Sequence, residues 1–530
     1  MAILGPTSVL SILTLISRVL GLVREMVKAS LLGTSALSDA FSVAFMIPNL
    51  FRRLFAEGSM AVAFIPTFKA YVLEKTSEEI KEFLSSMLTF LTFFVTLAVL
   101  LGIIWAPGMV RIFRIQALDE TVFLTRLMFP FLGFIALAAF FQGILNSFGI
   151  FRPAGFAPIV LNLAIIGGVY LLGPFMANPA RAMALGVLIG GFLSGGVQFP
   201  FLLKLLKKKG WAFFFVNLKR AFTNPGVKTV VGLIIPTIVG MAAYQLNDLV
   251  STALAGQAGE GVVSSLQYSL RLQELILGVF AVSIGTVLLP DLAGSAKSGQ
   301  WEVYSRQLGE ALNRIALITI PITFFSLVQG ETLIRLLFQN RGFGEASVKL
   351  TLGAFSFHIL GLFFIALNRI LAPAFYAQND SRSPALGGII SFGVNIALAA
   401  LLAGPLGGPG IALALSLAGL VNTGLLLFFL GRNPRIQVKQ VFRKTWRYTG
   451  KVTVISAGAI LPILGLTPKL LKLWAGPGKL IPYGLPLGVN ALVYSLLGIL
   501  ILAWTKDPYI QAFFSFFQSR FSKKKGIKKS

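Results

Sequence analysis

The chain has 530 residues, 56% hydrophobic and 12% charged, with 46 Lys and Arg against 19 Asp and Glu, a net charge of +27. A soluble fold of this length cannot bury so much apolar side chain, and with no cysteine disulfide, iron–sulfur and thiolate chemistry are excluded. Positive charge is concentrated between apolar runs, which points to membrane topology rather than nucleic-acid binding.

Apolar runs of 18 or more residues recur along nearly the whole length, each able to cross a hydrocarbon core of about 30 Å. Backbone groups at that depth must bond within their own segment, and strand-like alternation is absent. The expected fold class is therefore an all-α polytopic membrane protein. Fourteen spans are expected, at about 8–33, 39–65, 83–106, 121–148, 155–174, 181–205, 228–256, 264–290, 308–330, 348–376, 384–403, 409–431, 450–472 and 484–505. The N-terminus lacks a basic region and a small-residue cleavage site, and its first run contains Arg18 and Arg24. It reads as a retained helix, not a signal peptide.

Loop charge sets the expected orientation. Lys204, Lys207, Lys208, Lys209, Lys219, Arg220 and Lys228 follow the sixth span. Arg432, Arg435, Lys439, Arg443, Lys444, Arg447 and Lys451 follow the twelfth, and the tail ends in Arg520, Lys523, Lys524, Lys525, Lys528 and Lys529. The opposite loops are poorer in cations, so both termini are expected in the cytoplasm. Thr76-Ser77-Glu78-Glu79 has a capping-box pattern and should start the third span. Phe513 to Phe521, before the last lysines, reads as an interfacial helix with a polybasic end.

The chain also repeats itself. Leu32-Gly33 matches Ala255-Gly256, Phe64-Ile65-Pro66 matches Leu288-Leu289-Pro290, and Arg152-Pro153-Ala154 matches Ser383-Pro384-Ala385. Asn162 matches Asn395, and Gly173-Pro174 matches Gly404-Pro405. Five matches in order at a nearly constant offset indicate duplication. Six spans per copy keep the same orientation, so the copies are parallel repeats, an arrangement suited to alternating access around a central cavity. The expected division is an N-lobe at 1–220, a C-lobe at 221–432, two added spans at 433–505 and a cytoplasmic basic amphipathic tail at 506–530.

The candidate site lies in the first two spans. Ser11, Thr14, Ser17, Arg18, Gly21, Arg24, Glu25 and Lys28 cover one helix face roughly 140° wide. The second span adds Asp39, Ser42, Asn49, Arg52, Arg53 and Glu57, with Pro48 expected to bend it. The repeat pairs these spans with the seventh and eighth, which carry stripes of their own: Thr237, Gly240, Tyr244, Asn247, Asp248 and Ser251, then Gln267, Arg271, Glu274 and Gly278. Those four helices are expected to wall a hydrated cavity. Arg18, Arg24, Arg52 and Arg53 facing lipid would cost on the order of 10 kcal/mol together, so they must face water, carboxylates or a ligand. Arginine forks match phosphate and pyrophosphate, and the cationic surplus favours an anionic substrate.

Plainer roles compete. Arg18 or Arg24 pairs with Glu25, Asp39 or Glu57 if it is only an internal ion-pair member. Arg53 with Glu57, and Arg271 with Glu274, sit at pairing distance along a helix. Lys28 is expected to snorkel outward, and Arg369 either snorkels or functions. His358 is read as a packing residue rather than a proton carrier. Asp248, with Asn247 or Asn395, either binds a coupling cation or only hydrogen-bonds.

Ser17-Arg18-Val19-Leu20-Gly21-Leu22-Val23-Arg24-Glu25, Ser38-Asp39-Ala40-Phe41 and Pro48-Asn49-Leu50-Phe51-Arg52-Arg53-Leu54-Phe55-Ala56-Glu57-Gly58 resemble the MurJ (MviN) family of lipid II flippases, in the multidrug/oligosaccharidyl-lipid/polysaccharide exporter superfamily. Leu371-Ala372-Pro373, Phe375-Tyr376 and the stretch from Asp380 to Pro384 resemble the same family's second-repeat signature. The resemblance extends over essentially the whole chain. It implies a transporter, not an enzyme, that moves lipid II (undecaprenyl-pyrophosphate bearing a disaccharide-pentapeptide) from the cytoplasmic to the outer leaflet of the bacterial inner membrane. By similarity the essential charged residues are Arg18, Arg24, Asp39, Arg52 and Arg271; the residue pattern adds Arg53 as a substrate-binding candidate, with Ser17, Glu25, Asn49, Glu57 and Glu274 as supporting cavity residues. Around Arg271 the chain departs from the family pattern, with Leu270 and Ile276 nearby in place of an acidic residue before the arginine and a proline after it. Glu25 stands where Asp is commoner. The last two spans imply a groove for the polyprenyl tail. A sodium site in the family implies roles for Asp248 and Asn395, although Ala399 offers no carboxylate.

No catalytic residues, metal or cofactor are expected beyond sodium or membrane-potential coupling. The expected partners are lipid II and membrane lipids, with no nucleic acid, and the chain is expected to act as a monomer. The competing functions are a flippase for another undecaprenyl-pyrophosphate-linked oligosaccharide, a membrane enzyme acting on polyprenyl phosphates, and a non-transporting scaffold. The enzyme would need loop carboxylates where the loops offer mostly lysines, and the scaffold leaves the arginines unexplained.

Overall fold

The computed structural model describes residues 6–54, 60–512 and 515 of the chain. Every regular element among them is helical. In the first stretch α1 (Pro6–Leu32) turns at Gly33 into α2 (Ala36–Arg52), and a π turn (Met60–Phe64) leads into α3 (Ile65–Glu74). Then come α4 (Ser77–Arg111), α5 (Leu118–Met128), α6 (Phe131–Ser147), α7 (Arg152–Leu172) and α8 (Pro179–Lys209). A short α9 (Leu218–Thr223) precedes the long α10 (Pro225–Ala258) and α11 (Val262–Lys297). The remainder is α12 (Trp301–Phe338), α13 (Glu345–Leu360), α14 (Leu362–Tyr376), α15 (Arg382–Leu406), α16 (Gly408–Leu430), α17 (Val438–Leu473) and α18 (Leu485–Trp504). Among the described residues nine helices, or ten if the bent pair α13–α14 is one span, are long and apolar enough to cross a membrane.

Local sequence explains the helix boundaries. The capping box predicted before the third span is present: the Glu79 backbone N–H donates to Thr76 Oγ1 at 3.4 Å, and Glu79 Oε2 accepts from the Thr76 N–H at 2.9 Å. Gly33 adopts φ +55°, which an L side chain resists, and Ser35 caps α2 by accepting from the Ser38 N–H. Pro48 sits inside α2. Glu57 and residues 516–530, including the polybasic tail end, lie outside the described residues.

The chain divides into two compact units. The first holds residues 1–268 and 340–347, so it joins the first eight helices to α9, α10, the start of α11 and the α12–α13 loop. Its apolar core is rich in phenylalanine, with Phe64 stacked on Phe68 and Phe83 and edge-on to Phe140. Small residues let α7 and α8 approach: a Cβ on Gly168 would lie 2.9 Å from the Gly186 Cα. The second unit holds residues 269–339 and 348–530. There α12, α17 and α18 share a core of Ile460, Ile463 and Tyr494 packed with Phe324, Phe325 and Val328. Fully buried Asp507 pairs with Lys451 at 3.0 Å and accepts from the Tyr448 hydroxyl at 3.3 Å, which fixes the chain just after α18.

Candidate functional site

The polar stripe of α1 changes character along its length. At one end Thr14 and Arg18 are exposed and Ser17 is half-buried. Two turns on, the same face carries Arg24, Glu25 and Lys28, all buried. Arg24 donates from Nη2 to Glu25 Oε1 at 2.6 Å and from Nη1 to Asn162 Oδ1 at 3.2 Å, with its guanidinium over the Phe45 ring. Asn162, on α7, in turn donates from Nδ2 to the Pro158 carbonyl at 2.9 Å and the Ser17 carbonyl at 3.3 Å. The expected pairing of Arg24 with Glu25 is therefore present. Asn162, read from sequence only as a repeat marker, is its second partner. Because Asn162 is neutral, it orients the guanidinium without cancelling its charge. Asn162→Leu removes one acceptor and two donors from this buried site, and is expected to cost about 1–3 kcal/mol; a lowered thermal midpoint in detergent would measure it.

Lys28 does not snorkel. It is 2% exposed, and its Nζ donates to Ser42 Oγ at 2.7 Å and Gln267 Oε1 at 3.3 Å, 3.7 Å from Glu25 Oε2 and over the Tyr268 ring. The α1 stripe turns it inward toward α2 and α11, where acceptors replace the water that snorkelling would have supplied. Tyr268 was not singled out by its sequence. Its hydroxyl donates to the Gly33 carbonyl at 3.0 Å and lies 3.2 Å from Ser38 Oγ.

Asp39 and Glu260 form a reciprocal clasp. Asp39 is 2% exposed; its Oδ2 accepts from the Gly261 N–H at 2.7 Å and its Oδ1 from the Ser264 N–H at 2.8 Å, at the start of α11. Glu260 Oε1 accepts from the Ala36 N–H at 2.9 Å, at the start of α2. Each carboxylate sits at the positive end of the other's helix. Around the clasp, backbones meet with no space for a side chain. A Cβ on Gly33 would come within 2.0 Å of the Gly342 carbonyl oxygen, one on Gly342 within 2.3 Å of the Ser30 oxygen, and one on Gly261 within 2.2 Å of the Thr34 oxygen. Thr34 Oγ1 and Ser347 Oγ are hydrogen-bonded at 2.8 Å. Nothing in the sequence pointed to Glu260 or Gly342, because their contacts cross long stretches of chain.

On α2, Arg52 Nε donates to Asn49 Oδ1 at 2.8 Å, and Arg53 pairs with Asp248 at 3.3 Å while donating to Gln245 at 3.3 Å. The expected Arg53 partner, Glu57, lies outside the described residues. Of the α10 and α11 stripes, the side chains of Thr237, Gly240, Tyr244 and Gly278 lie outside them too, as does that of Ser11 on α1. In the second unit Arg271 pairs with Glu274 at 2.9 Å, as their spacing predicts, and both are exposed. Asn395 on α15 is buried. His358 is buried with its Nδ1 2.6 Å from Ser269 Oγ, and its carbonyl accepts from Gln273.

Among known proteins, the family model described as lipid II flippase MurJ matches residues 28–475. A probable lipid II flippase MurJ of Treponema pallidum (strain Nichols) is 45% identical over 506 residues, 94% of this chain and 95% of the relative. The lipid II flippase MurJ of Burkholderia cenocepacia is 34% identical, over 80% of this chain and 82% of its own. Among solved structures, a lipid II flippase MurJ in an inward closed conformation superposes with a TM-score of 0.75 at 24% identity, covering 93% of this chain and 98% of the other. An inward-facing multidrug transporter of the MATE family shares the fold at a TM-score of 0.66 and 14% identity, covering 80% and 96%.

Proposed function

The chain belongs to the lipid II flippase MurJ family, and from that premise we propose that it moves lipid II across the bacterial inner membrane by alternating access, with arginines of α1 and α2 holding the pyrophosphate. The observation that carries this reading is the polar stripe of α1, open at Ser17 and Arg18 and sealed by the clasp beyond Lys28. A charged side chain facing hydrocarbon is costly, so the open part of the stripe faces water, in a cavity closed at one end. Along α1 and α2, Arg18, Arg24, Lys28 and Arg52 outnumber Glu25 and Asp39, and this surplus suits a pyrophosphate dianion.

Fourteen spans complete the proposed architecture, with α1, α2, α10 and α11 as the polar spans that wall the cavity. In it six-span lobes at 1–220 and 221–432 rock about the bound headgroup, and the spans at 433–505 carry the tail groove. Both termini lie in the cytoplasm, and the chain acts as a monomer. Arg271, beside Glu274, is the further arginine proposed for substrate binding. Outward movement of a dianion runs with an inside-negative potential, worth about 2.3 kcal/mol per charge at 100 mV. A coupling cation at Asp248 would first displace the Arg53 guanidinium, 3.3 Å away.

Proteoliposomes loaded with lipid II on the inner leaflet test the proposal. The protein is expected to deliver lipid II to the outer leaflet without nucleotide, faster with the potential imposed, and to restore growth of a bacterium depleted of its own lipid II flippase. Arg52→Ala is expected to slow delivery at least tenfold; an undiminished rate would overturn the arginine assignment. Equal transport of an undecaprenyl-pyrophosphate carrying an unrelated oligosaccharide would replace lipid II with the broader substrate class.

A further inference from the structure

The segment that joins α8 to α10 takes no part in the site above, yet it is built with care. Lys207, Lys208 and Lys209 end α8 and are exposed. Gly210, at φ +67°, turns the chain, and Trp211 anchors it against Phe68 and Phe148, with Lys209 over the Phe148 and Trp211 rings. Residues 212–217 then run without helix along α4. The Phe214 N–H donates to Ser85 Oγ at 3.2 Å and the Val216 N–H to Thr89 Oγ1 at 2.9 Å. Beyond them Phe222 of α9 packs on Phe90, Phe93 and Phe94.

This places the segment at a definite depth. Ser85 and Thr89 lie about 12 and 18 Å past the start of α4, at 1.5 Å per residue. They fall between its charged first turns, with Glu78, Lys81 and Glu82, and its long apolar run. The N–H groups of Phe213 and Phe215 have no hydrogen-bond partner among the described residues. An unmade backbone bond in hydrocarbon costs several kcal/mol, so this edge faces the hydrated headgroup layer. Phe214 and Phe215 are nevertheless 73% and 66% exposed. The nearby carboxylate Glu82 is already paired with Arg220 at 2.8 Å, which leaves the lysines as the uncompensated charge.

We infer that residues 207–222 form a docking surface for anionic phospholipids of the leaflet on the lysine-rich side, with lysines 207–209 on the headgroup phosphates and Phe214 and Phe215 inserted among the acyl chains. Exposed aromatics beside clustered lysines at a span end match an anionic bilayer surface in both polarity and charge.

The chain has no cysteine, so single labels report cleanly. Phe214→Cys and Phe215→Cys, spin-labelled in the full-length protein, are compared in nanodiscs of phosphatidylcholine with and without one-third phosphatidylglycerol. Both labels are expected to be more accessible to oxygen than to a water-soluble nickel chelate, the more so with phosphatidylglycerol. Lysine near an anionic surface contributes about fivefold each. The combined Lys207→Gln, Lys208→Gln and Lys209→Gln variant should therefore lose phosphatidylglycerol retention on the order of 100-fold, while the corresponding arginine triple keeps it. Dominant access of the nickel chelate to both labels in both bilayers, as a surface for a soluble protein would give, overturns the inference. So does unchanged retention in the glutamine triple, whose exposed positions leave folding intact.

Discussion

Arg24→Ala is expected to reduce lipid II delivery at least 100-fold and to destabilise the protein by about 3–5 kcal/mol, the cost of breaking a buried ion pair by removing one partner. Glu25 would be left buried without the guanidinium 2.6 Å from its Oε1, with the Lys28 ammonium farther off at 3.7 Å from Oε2. The two losses separate in the double variant Arg24→Ala with Glu25→Ala. Removing both charges should return most of the stability, measured as a thermal midpoint in detergent. Under the proposed role of Arg24 transport should stay lost, because its guanidinium is still absent. If the double variant transports as well as the parent, Arg24 serves only to neutralise Glu25 and the binding role falls.

The second large effect is expected at the clasp. Gly33→Ala would put a Cβ where the Gly342 carbonyl oxygen stands and would impose a side chain on a left-handed residue, a conformation that alone costs roughly 1–2 kcal/mol. The backbones around Gly33, Gly261 and Gly342 must then separate, and the states in which α2 and α11 cap each other lose population. A destabilisation of about 2 kcal/mol shifts such an equilibrium roughly 30-fold. Ser38, buried beside Tyr268, reports it: Ser38→Cys should react slowly with a water-soluble thiol reagent in the parent and at least tenfold faster with Gly33→Ala present. Equal rates would mean that the close glycine contacts do not hold the clasp shut.

These expectations draw on different levels of structure. Composition and apolar run length alone decided that the chain is helical and lies in a membrane, because hydrocarbon leaves the backbone no other economical way to satisfy its polar groups. The spacing of Ser17, Arg18, Arg24, Glu25 and Lys28 put them on one face, since helical periodicity is local, and the cost of burying charge marked that face as the site. Local spacing also gave the Thr76 capping box and the Arg271–Glu274 pair. Only the tertiary structure decided which partners those charges take. Asn162 reaches Arg24 across 138 positions of chain, Gln267 reaches Lys28 across 239, and Gly261 reaches Asp39 across 222. Helical periodicity fixes the direction in which a side chain leaves its own helix. What it meets there depends on how distant helices pack, and so Lys28, expected at the membrane surface, is buried between α2 and α11.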